Sequence, residues 1–305
     1  MKFIKPEDLV VIENNNEFIL RKGFIHVNEV TIDKNGSSPQ FVQVFEQFVA
    51  AGSLDVREDS DIWEDFRKLA QFYLIDVVSP VSHLLVGDST VMAGRFAPRF
   101  NVMRKDAFIS HKQCVEIVEG KNPMTIDSII EDVHRKLNGA SSFYYIDALE
   151  NLTDLRAVNR LACLLDMQAV IGCYDDDNVY FTRIMPGYTG CFECLERHII
   201  SKFPGVLTDY ISKRHLHPAY TENSPAALML DSWILQDADN IDRNGDSSML
   251  GKVLHFSLRD FEYSCNENRR YVSCPACAGR NMALFEEQNE RAVNVLEEAK
   301  RNAIV

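Results

Sequence analysis

Two Cys-x-x-Cys pairs, far apart in the chain, constrain the fold of this sequence more than any other feature. Cys191 and Cys194 lie in PGYTGCFEC, and Cys274 and Cys277 lie in SCPAC. Each pair can present two thiolates from one tight turn, and a structural Zn²⁺ takes four ligands at the corners of a tetrahedron. The two pairs therefore predict one structural zinc site with no open position for water. A redox dithiol is the alternative, but that chemistry needs only a single pair.

Composition excludes several classes of protein. The 305 residues are 46% hydrophobic and 25% charged, which is typical of a globular protein. A formal net charge of −13 argues against a nucleic-acid partner, because affinity for phosphates comes from clustered Lys and Arg. The sequence has neither a signal-peptide pattern nor an apolar run long enough to cross a membrane, so we expect a cytoplasmic protein. In that reducing compartment, the other four cysteines (114, 163, 173 and 265) are predicted to be core thiols.

The first 80 residues predict a small winged-helix-like domain. Short apolar runs between residues 8 and 32 alternate with Asn and Gly turns, which indicates a three-stranded meander. Ser38, Pro39 and a terminal Gly52 frame one predicted helix. Apolar residues at spacings of three and four predict a second helix over 60–75.

Residues 81–305 predict an α/β domain. Strands are expected at 83–86, 114–118, 142–147 and 168–173, alternating with helices at 126–138 and 153–166. Such alternation favours a mostly parallel sheet with helices on its faces. Further helices are predicted at 225–238, with an apolar face large enough for either a core or a dimer contact, and at 283–303.

The α/β domain with its two cysteine pairs resembles the ThiF and MoeB group, relatives of ubiquitin-activating enzymes that adenylate a C-terminal carboxylate. The resemblance covers residues 81–281. In that group a strand ending in D-x-x-D-N precedes a helix with Arg and Asn. The matching residues in YIDALENLTDLRAVNR are Asp147, Glu150, Asn151, Arg156 and Asn159.

The chain departs from the ThiF and MoeB group at the nucleotide site. ATP-binding members have a glycine-rich turn after the first strand, where backbone amides meet the phosphates. Here the corresponding sequence is LLVGDSTVMAGRF, in which Asp88 to Val91 fill the place between Gly87 and Gly94. Because Asp88 would repel a triphosphate, we expect no bound nucleotide and a degenerate Rossmann-like domain.

A winged-helix-like domain followed by a ThiF-like domain without this loop resembles a narrower group, the ThiF-like subunits of azole- and azoline-forming peptide synthetases such as the microcin synthetase complex. The segment AFISHKQCVEI at 107–117 is also similar to that group. The resemblance implies a non-catalytic subunit that binds the leader of a ribosomally made precursor peptide. It also implies a homodimer, a YcaO-type cyclodehydratase as partner and, in many such systems, a flavin-dependent dehydrogenase.

The leader is expected to bind at an open strand edge in the first domain. A meander leaves an edge strand with unpaired N–H and C=O groups, which an extended peptide can satisfy. We place that edge in residues 24–32 and the opposite wall on helix 60–75. The candidate peptide-binding residues are Phe24, His26, Asn28, Val30, Ile32, Trp63, Phe66, Arg67, Ala70 and Tyr73. For Trp63 and Phe66, a place in the core of the domain fits the pattern equally well.

Two other functions remain open from sequence. One is an active ATP-dependent adenylating enzyme of the ThiF and MoeB type, acting on a peptide or small-protein carboxylate. The other is a zinc-ribbon binding module unrelated to peptides. Peptide-dependent release of pyrophosphate would distinguish the enzyme from the scaffold.

Overall fold

The structure, a computed structural model, divides the chain into two compact units. It describes residues 1–25, 27–78, 83–87, 99–137, 139–140, 142–202 and 224–278. The first unit is formed by residues 1–82 together with 234–248, and the second by residues 83–233 and 249–305. The sequence predicts a boundary near residue 80, but it gives no indication that 234–248 join the first unit.

Up to residue 78, the first unit contains two small antiparallel sheets and two helices. Its elements up to residue 78 are β1 (Lys2–Ile4), β2 (Val10–Glu13), β3 (Glu17–Lys22), β4 (Asn28–Asp33), α1 (Pro39–Ala51), β5 (Ser53–Asp55), α2 (Trp63–Gln71) and β6 (Asp76–Val78). One sheet has the strand order β5-β1-β6, and the other has the order β2-β3-β4. The second sheet confirms the predicted three-stranded meander, and β4 forms one of its edges.

Helix α1 begins and ends where its sequence signals predict. The Ser38 hydroxyl accepts a hydrogen bond from Phe41 N at 3.1 Å, and Pro39 occupies the first turn. Gly52 ends the helix with φ of 75°, a left-handed conformation that suits glycine. The buried face of α1 packs into an aromatic core whose rings lie 5.1 to 6.3 Å apart. The rings of that core belong to Phe3, Phe18, Phe41, Phe45, Phe48, Trp63 and Phe66.

The second unit is built on one seven-stranded sheet. Its elements, including the helix that continues into the first unit, are β7 (His83–Val86), β8 (Phe100–Met103), α3 (Lys105–Phe108), α4 (His111–Glu119), α5 (Pro123–Lys136), β9 (Ser142–Ala148), α6 (Leu152–Leu165), β10 (Gln168–Tyr174), β11 (Asn178–Ile184), α7 (Phe192–Lys202), α8 (Pro225–Asn244), β12 (Lys252–Ser257) and β13 (Glu262–Glu267).

The sheet is mixed, and only half of it is parallel. The strand order is β13-β12-β11-β10-β9-β7-β8. Strands β8, β7, β9 and β10 run parallel, whereas β11, β12 and β13 add to that sheet as antiparallel neighbours. All residues of β9 are buried, as expected for a central parallel strand covered on both faces. The prediction of a mostly parallel sheet therefore holds for the first four strands alone.

The predicted strand at 114–118 is wrong, because that segment is part of helix α4. Ser110 caps the helix, with its hydroxyl and backbone N–H both bonded to residue Gln113 in a capping box. Cys114 and Ile117 are buried one helical turn apart. An apolar run this short fits a strand or a helix equally well, and the capping box decides it.

The four cysteines outside the Cys-x-x-Cys pairs do not all have the predicted environment. Cys114, Cys163 and Cys173 are buried, as expected of core thiols. Cys265 is exposed, so its assignment to the core was wrong. It lies on β13, the edge strand of the sheet, where most side chains face solvent.

Candidate functional site

The two Cys-x-x-Cys pairs meet in one buried cluster. All four sulfurs lie within 4.8 Å of one another, and this is the one such group among the described residues. The Sγ–Sγ distances are 3.7 Å for Cys191 to Cys194, 3.4 Å for Cys191 to Cys274 and 3.4 Å for Cys194 to Cys277. A tetrahedral site with Zn–S bonds of about 2.3 Å places its sulfurs about 3.8 Å apart. The cluster therefore has the donor set and size for a zinc ion.

The turn that carries the first pair depends on a close approach between two backbone segments. Gly190 N donates to Asn268 O at 2.8 Å, just beyond the end of β13. A Cβ atom at residue 190 would lie 2.5 Å from Asn268 O, which no side chain can tolerate. Helix α7 then begins within the pair, and Cys194 N donates to Cys191 O at 3.1 Å. Glycine is required here because it lets the two cysteine turns come together.

Hydrogen bonds to sulfur and charge repulsion both favour a bound cation. Tyr271 N donates to Cys194 Sγ at 3.2 Å, and Asn159 Nδ2 donates to Cys191 Sγ at 3.5 Å. The Cys163 thiol, followed by Cys194, lowers the pKa of Cys191 to about 4. Hydrogen bonds with the sulfurs of Cys191, Cys194 and Cys274 raise the pKa of Cys277, and burial and repulsion by the Cys191 thiolate raise it further. A divalent cation at the centre removes that repulsion and stabilises the thiolate form that binds metal.

Two arginine–glutamate pairs hold the first cysteine turn against helix α6. Arg160 donates to both carboxylate oxygens of Glu193, at 2.9 and 3.1 Å. Arg156 forms a second pair with Glu196, through Nε to Oε2 at 3.0 Å and a further bond from its Nη2. Both glutamates are buried. Paired arginine and carboxylate groups of this kind fix the angle between the two helices.

Residues assigned by resemblance to the ThiF and MoeB motif fall into two separate places. Arg156 and Asn159 contact the cysteine turn, where Asn159 Oδ1 also accepts from Phe192 N at 2.8 Å. Asp147 and Asn151 lie at the carboxyl end of β9, where Asn151 Nδ2 donates to Asp147 Oδ1 at 2.7 Å. Glu150 is half-buried in the turn between β9 and α6.

A buried ion pair at the end of β9 was not found by sequence reasoning. Lys105 Nζ lies 2.8 Å from Asp147 Oδ1, and the Tyr145 hydroxyl donates to the other carboxylate oxygen at 3.0 Å. Burial raises the pKa of Asp147, while Lys105 opposes that rise. The missed signal is the position of Lys105 immediately after β8, because the carboxyl ends of parallel strands meet at one edge of a sheet.

A groove of about 470 Å³ runs between strand β4 and helix α2 in the first unit. Its lining includes the strand edge, the start of α1 and one side of α2. The lining residues are Val30, Thr31, Ile32, Asp33, Gly36, Ser37, Ser38, Phe41, Asp65, Lys68, Leu69 and Phe72. The groove thus combines an open strand edge with a partly apolar wall.

The candidate peptide-binding residues occupy different environments. Val30 and Ile32 line the groove, and Phe24 and Asn28 are exposed. Trp63, Phe66 and Ala70 belong to the core of the unit. Arg67 is half-buried, and the Tyr73 hydroxyl donates to Asn240 Oδ1 at 2.9 Å. The structure adds four residues of α2 and its C-terminal end that the sequence did not single out: Asp65, Lys68, Leu69 and Phe72.

Some sequence expectations lie outside the described residues. These are the peptide-binding assignment of His26, the replaced phosphate loop from Asp88 to Val91 with Gly94, and the helix at 283–303. In the part of the chain that the structure describes, no helix combines the length and apolar character that crossing a membrane requires.

Comparisons with known proteins give weak structural likenesses. No protein-family model and no curated protein matches the sequence. The E. coli protein MccB aligns over 92% of this chain and 98% of its own, with 12% identity and a TM-score of 0.44. The heterocyclase TruD aligns over 90% of this chain and 42% of its own, with 13% identity and a TM-score of 0.46. A heterocyclase solved with substrate and cofactor aligns over 91% of this chain and 39% of its own, with 12% identity and a TM-score of 0.45. Likenesses at this level establish neither a family nor an activity for this chain.

Proposed function

We propose that this chain is a non-catalytic subunit that binds the leader of a ribosomally made precursor peptide and holds it for a heterocyclase that installs azoline or azole rings. The observation that carries the proposal is the open edge of β4 beside the groove. The first unit then acts as a winged-helix-like peptide clamp, and the four cysteines hold a structural zinc in a degenerate ThiF-like domain. A YcaO-type cyclodehydratase, and in some systems a flavin-dependent dehydrogenase, are the proposed enzyme partners in the cytoplasm.

The hydrogen-bond register of the β3–β4 pair shows which backbone N–H and C=O groups of β4 face the open edge. Lys34 N donates to Asn16 O at 2.8 Å, one residue beyond the Glu17–Asp33 pair of the β3–β4 ladder. Antiparallel ladders alternate between bonded and non-bonded pairs. Val30 and Ile32 therefore direct their N–H and C=O groups to β3, whereas Glu29 and Thr31 direct theirs outward. No described strand pairs with that outer side.

Thr31→Pro is expected to weaken leader binding by about 3- to 10-fold, the equivalent of one lost hydrogen bond of about 0.5–1.5 kcal/mol. Proline removes the outward N–H of Thr31 and leaves the bonds to β3 in place, which an edge strand tolerates. The measurement is fluorescence polarisation with the full chain and a labelled leader from any short precursor peptide that the neighbouring genes encode.

Two variants serve as controls for this experiment. Thr31→Val keeps the backbone N–H and should bind the leader as the unmodified chain does. Val30→Pro removes an N–H that bonds to Leu20 on β3. It should therefore lower the thermal stability of the first unit in addition to any effect on leader affinity. Equal leader affinity for Thr31→Pro and Thr31→Val would exclude the edge of β4 as the binding site.

The chain is expected to bind no ATP and to release no pyrophosphate in the presence of peptide. The adenylating-enzyme alternative gains one argument from Lys105 and Asp147, since they lie at the sheet edge where α/β proteins bind ligands. However, each of these two charges already has the other as its partner. Isothermal titration calorimetry with Mg–ATP and a peptide-dependent pyrophosphate assay test this. Peptide-dependent pyrophosphate release by the unmodified chain would establish the enzyme instead.

The proposed homodimer has no support from helix α8. The apolar face, which the sequence assigns equally to a core or to a dimer contact, is buried within the chain itself, at residues Ala226, Ala227, Leu230, Ile234 and Ala238. A role in the core explains that face fully, so the dimer rests on the sequence resemblance alone.

A further inference from the structure

We infer that the β4 groove selects a leader segment in which two apolar residues are separated by one residue, with a basic residue next to the apolar residue nearest Asp33. This inference rests on the proposed function, because it specifies the sequence of the peptide that would pair with β4. Its geometric basis is the alternation of side chains on an added strand.

The face of each leader residue follows from the register of β4. In paired strands, directly opposite residues point to the same face of the sheet. A leader residue opposite Thr31 therefore points outward with the exposed Thr31 side chain. The residues on either side of it lie opposite Val30 and Ile32, and they point with those side chains into the groove. Two inward positions separated by one outward position are thus fixed by the pleat of the strand.

The floor of the groove is apolar, whereas Ser38, Asp65 and Lys68 are also among its lining residues. Ile32, Phe41 and Leu69 are buried and contribute its floor, with Leu69 only 5% exposed. Phe72 lies on the rim and is 58% exposed. An apolar leader side chain packed against Phe72 would remove this ring from water. A polar leader side chain packed on this floor would lose hydrogen bonds to water that the side chains of Ile32, Phe41 and Leu69 cannot replace.

The outward face of β4 adds a charge requirement. Glu29 and Asp33 flank Thr31 on that face and are both acidic. Glu29 already forms an ion pair with Arg21, whereas the Asp33 carboxylate accepts a hydrogen bond from Asn35 N at 2.9 Å and forms no salt bridge within the described part of the chain. A leader residue opposite Asp33 lies two positions from the one opposite Thr31. Opposite charges at directly facing positions stabilise a strand pair, so this residue should be Lys or Arg.

The test is selection of binders from a random library of displayed ten-residue peptides on the full-length chain. Enriched peptides are then resynthesised and measured by fluorescence polarisation. We expect apolar residues at positions i and i+2, with Lys or Arg directly beside one of them. Moving one apolar residue by a single position should lower affinity at least tenfold, because that side chain would leave the groove.

Three variants connect the peptide pattern to individual residues. Phe72→Ala should weaken the selected peptides about tenfold, through the loss of apolar contact. Asp33→Lys should change the preference at the flanking position from Lys to Glu, by about threefold, as exposed pairs allow. Val10→Ala, an exposed apolar residue on the opposite edge strand β2, is the matched control and should change nothing.

The outcomes separate this inference from the proposed function. Peptides that lose affinity in Thr31→Pro but lack the i, i+2 pattern would overturn the inference and leave the clamp in place. The inference would also be wrong if neither Phe72→Ala nor Asp33→Lys changed the affinity or the sequence preference for the selected peptides. If no peptide is enriched, or if Thr31→Pro binds all of them as the unmodified chain does, both the inference and the proposed binding site are wrong.

Discussion

Loss of the four-cysteine centre should unfold most of the second unit. We expect one zinc per chain, and Cys191→Ser should release it and sharply reduce soluble protein. Zinc binding contributes about 10–16 kcal/mol to folding in small zinc domains, as much as the 5–15 kcal/mol that stabilises a typical domain. Here the metal would join the start of α7 to the segment after β13. Metal analysis by mass spectrometry and thermal unfolding with and without a chelator measure the effect.

Cys265→Ser is the matched control for the zinc experiment. It removes an exposed thiol from β13 that lies outside the cluster, so metal content and melting temperature should stay unchanged. A Cys191→Ser protein that melts like Cys265→Ser would contradict a structural metal site. So would purified protein with well under one zinc per chain.

Lys105→Met should destabilise the protein by about 3–5 kcal/mol near neutral pH, because it leaves the carboxylate of Asp147 buried without its cation. Burial already raises the pKa of Asp147, and Lys105 opposes that rise. The folded state therefore holds the Asp147 proton more tightly than the unfolded chain does, and stability is lost as the pH rises through the folded pKa. Without Lys105 that pKa rises further, so the loss should be larger at about pH 7.5 than at about pH 5.

Urea unfolding followed by circular dichroism at the two pH values measures this difference. Lys112→Met, which removes an exposed lysine from α4, is the control and should have little effect at either pH. An equal loss of stability at both pH values would show that Lys105 acts through packing of its side chain rather than through its charge.

Signals carried by a few adjacent residues allowed correct predictions. The two cysteine pairs come together as predicted because their chemistry requires a common centre. Helix α1 is confirmed because Ser38, Pro39 and Gly52 specify its ends locally. The ends of α1 depend on short-range geometry, whereas the meeting of the two cysteine pairs follows from the four ligands that one zinc ion takes.

Other features depend on contacts that the sequence does not state. Spacing in α2 shows which residues share a face of the helix, but not which face meets the core. Phe66 faces the core, whereas Phe72 faces the groove. The pairing of Lys105 with Asp147 follows from the adjacent positions of β8, β7 and β9 in the sheet, which no local pattern gives. The short apolar run at 114–118 fits a strand as well as a helix, so its spacing alone did not identify helix α4.

The first unit cannot be complete until residues 234–248 have been synthesised. Arg243, in the last turn of α8, is buried and donates to Ile75 O at 2.5 Å and to Asp76 Oδ1 at 2.6 Å. Residues 83–233, which lie between these partners in the chain, are synthesised before Arg243 and belong to the other unit. Until Arg243 has been added, the first unit lacks the residue that bonds to Ile75 and Asp76. A fragment that ends at residue 80 would reproduce that incomplete state rather than the whole first unit.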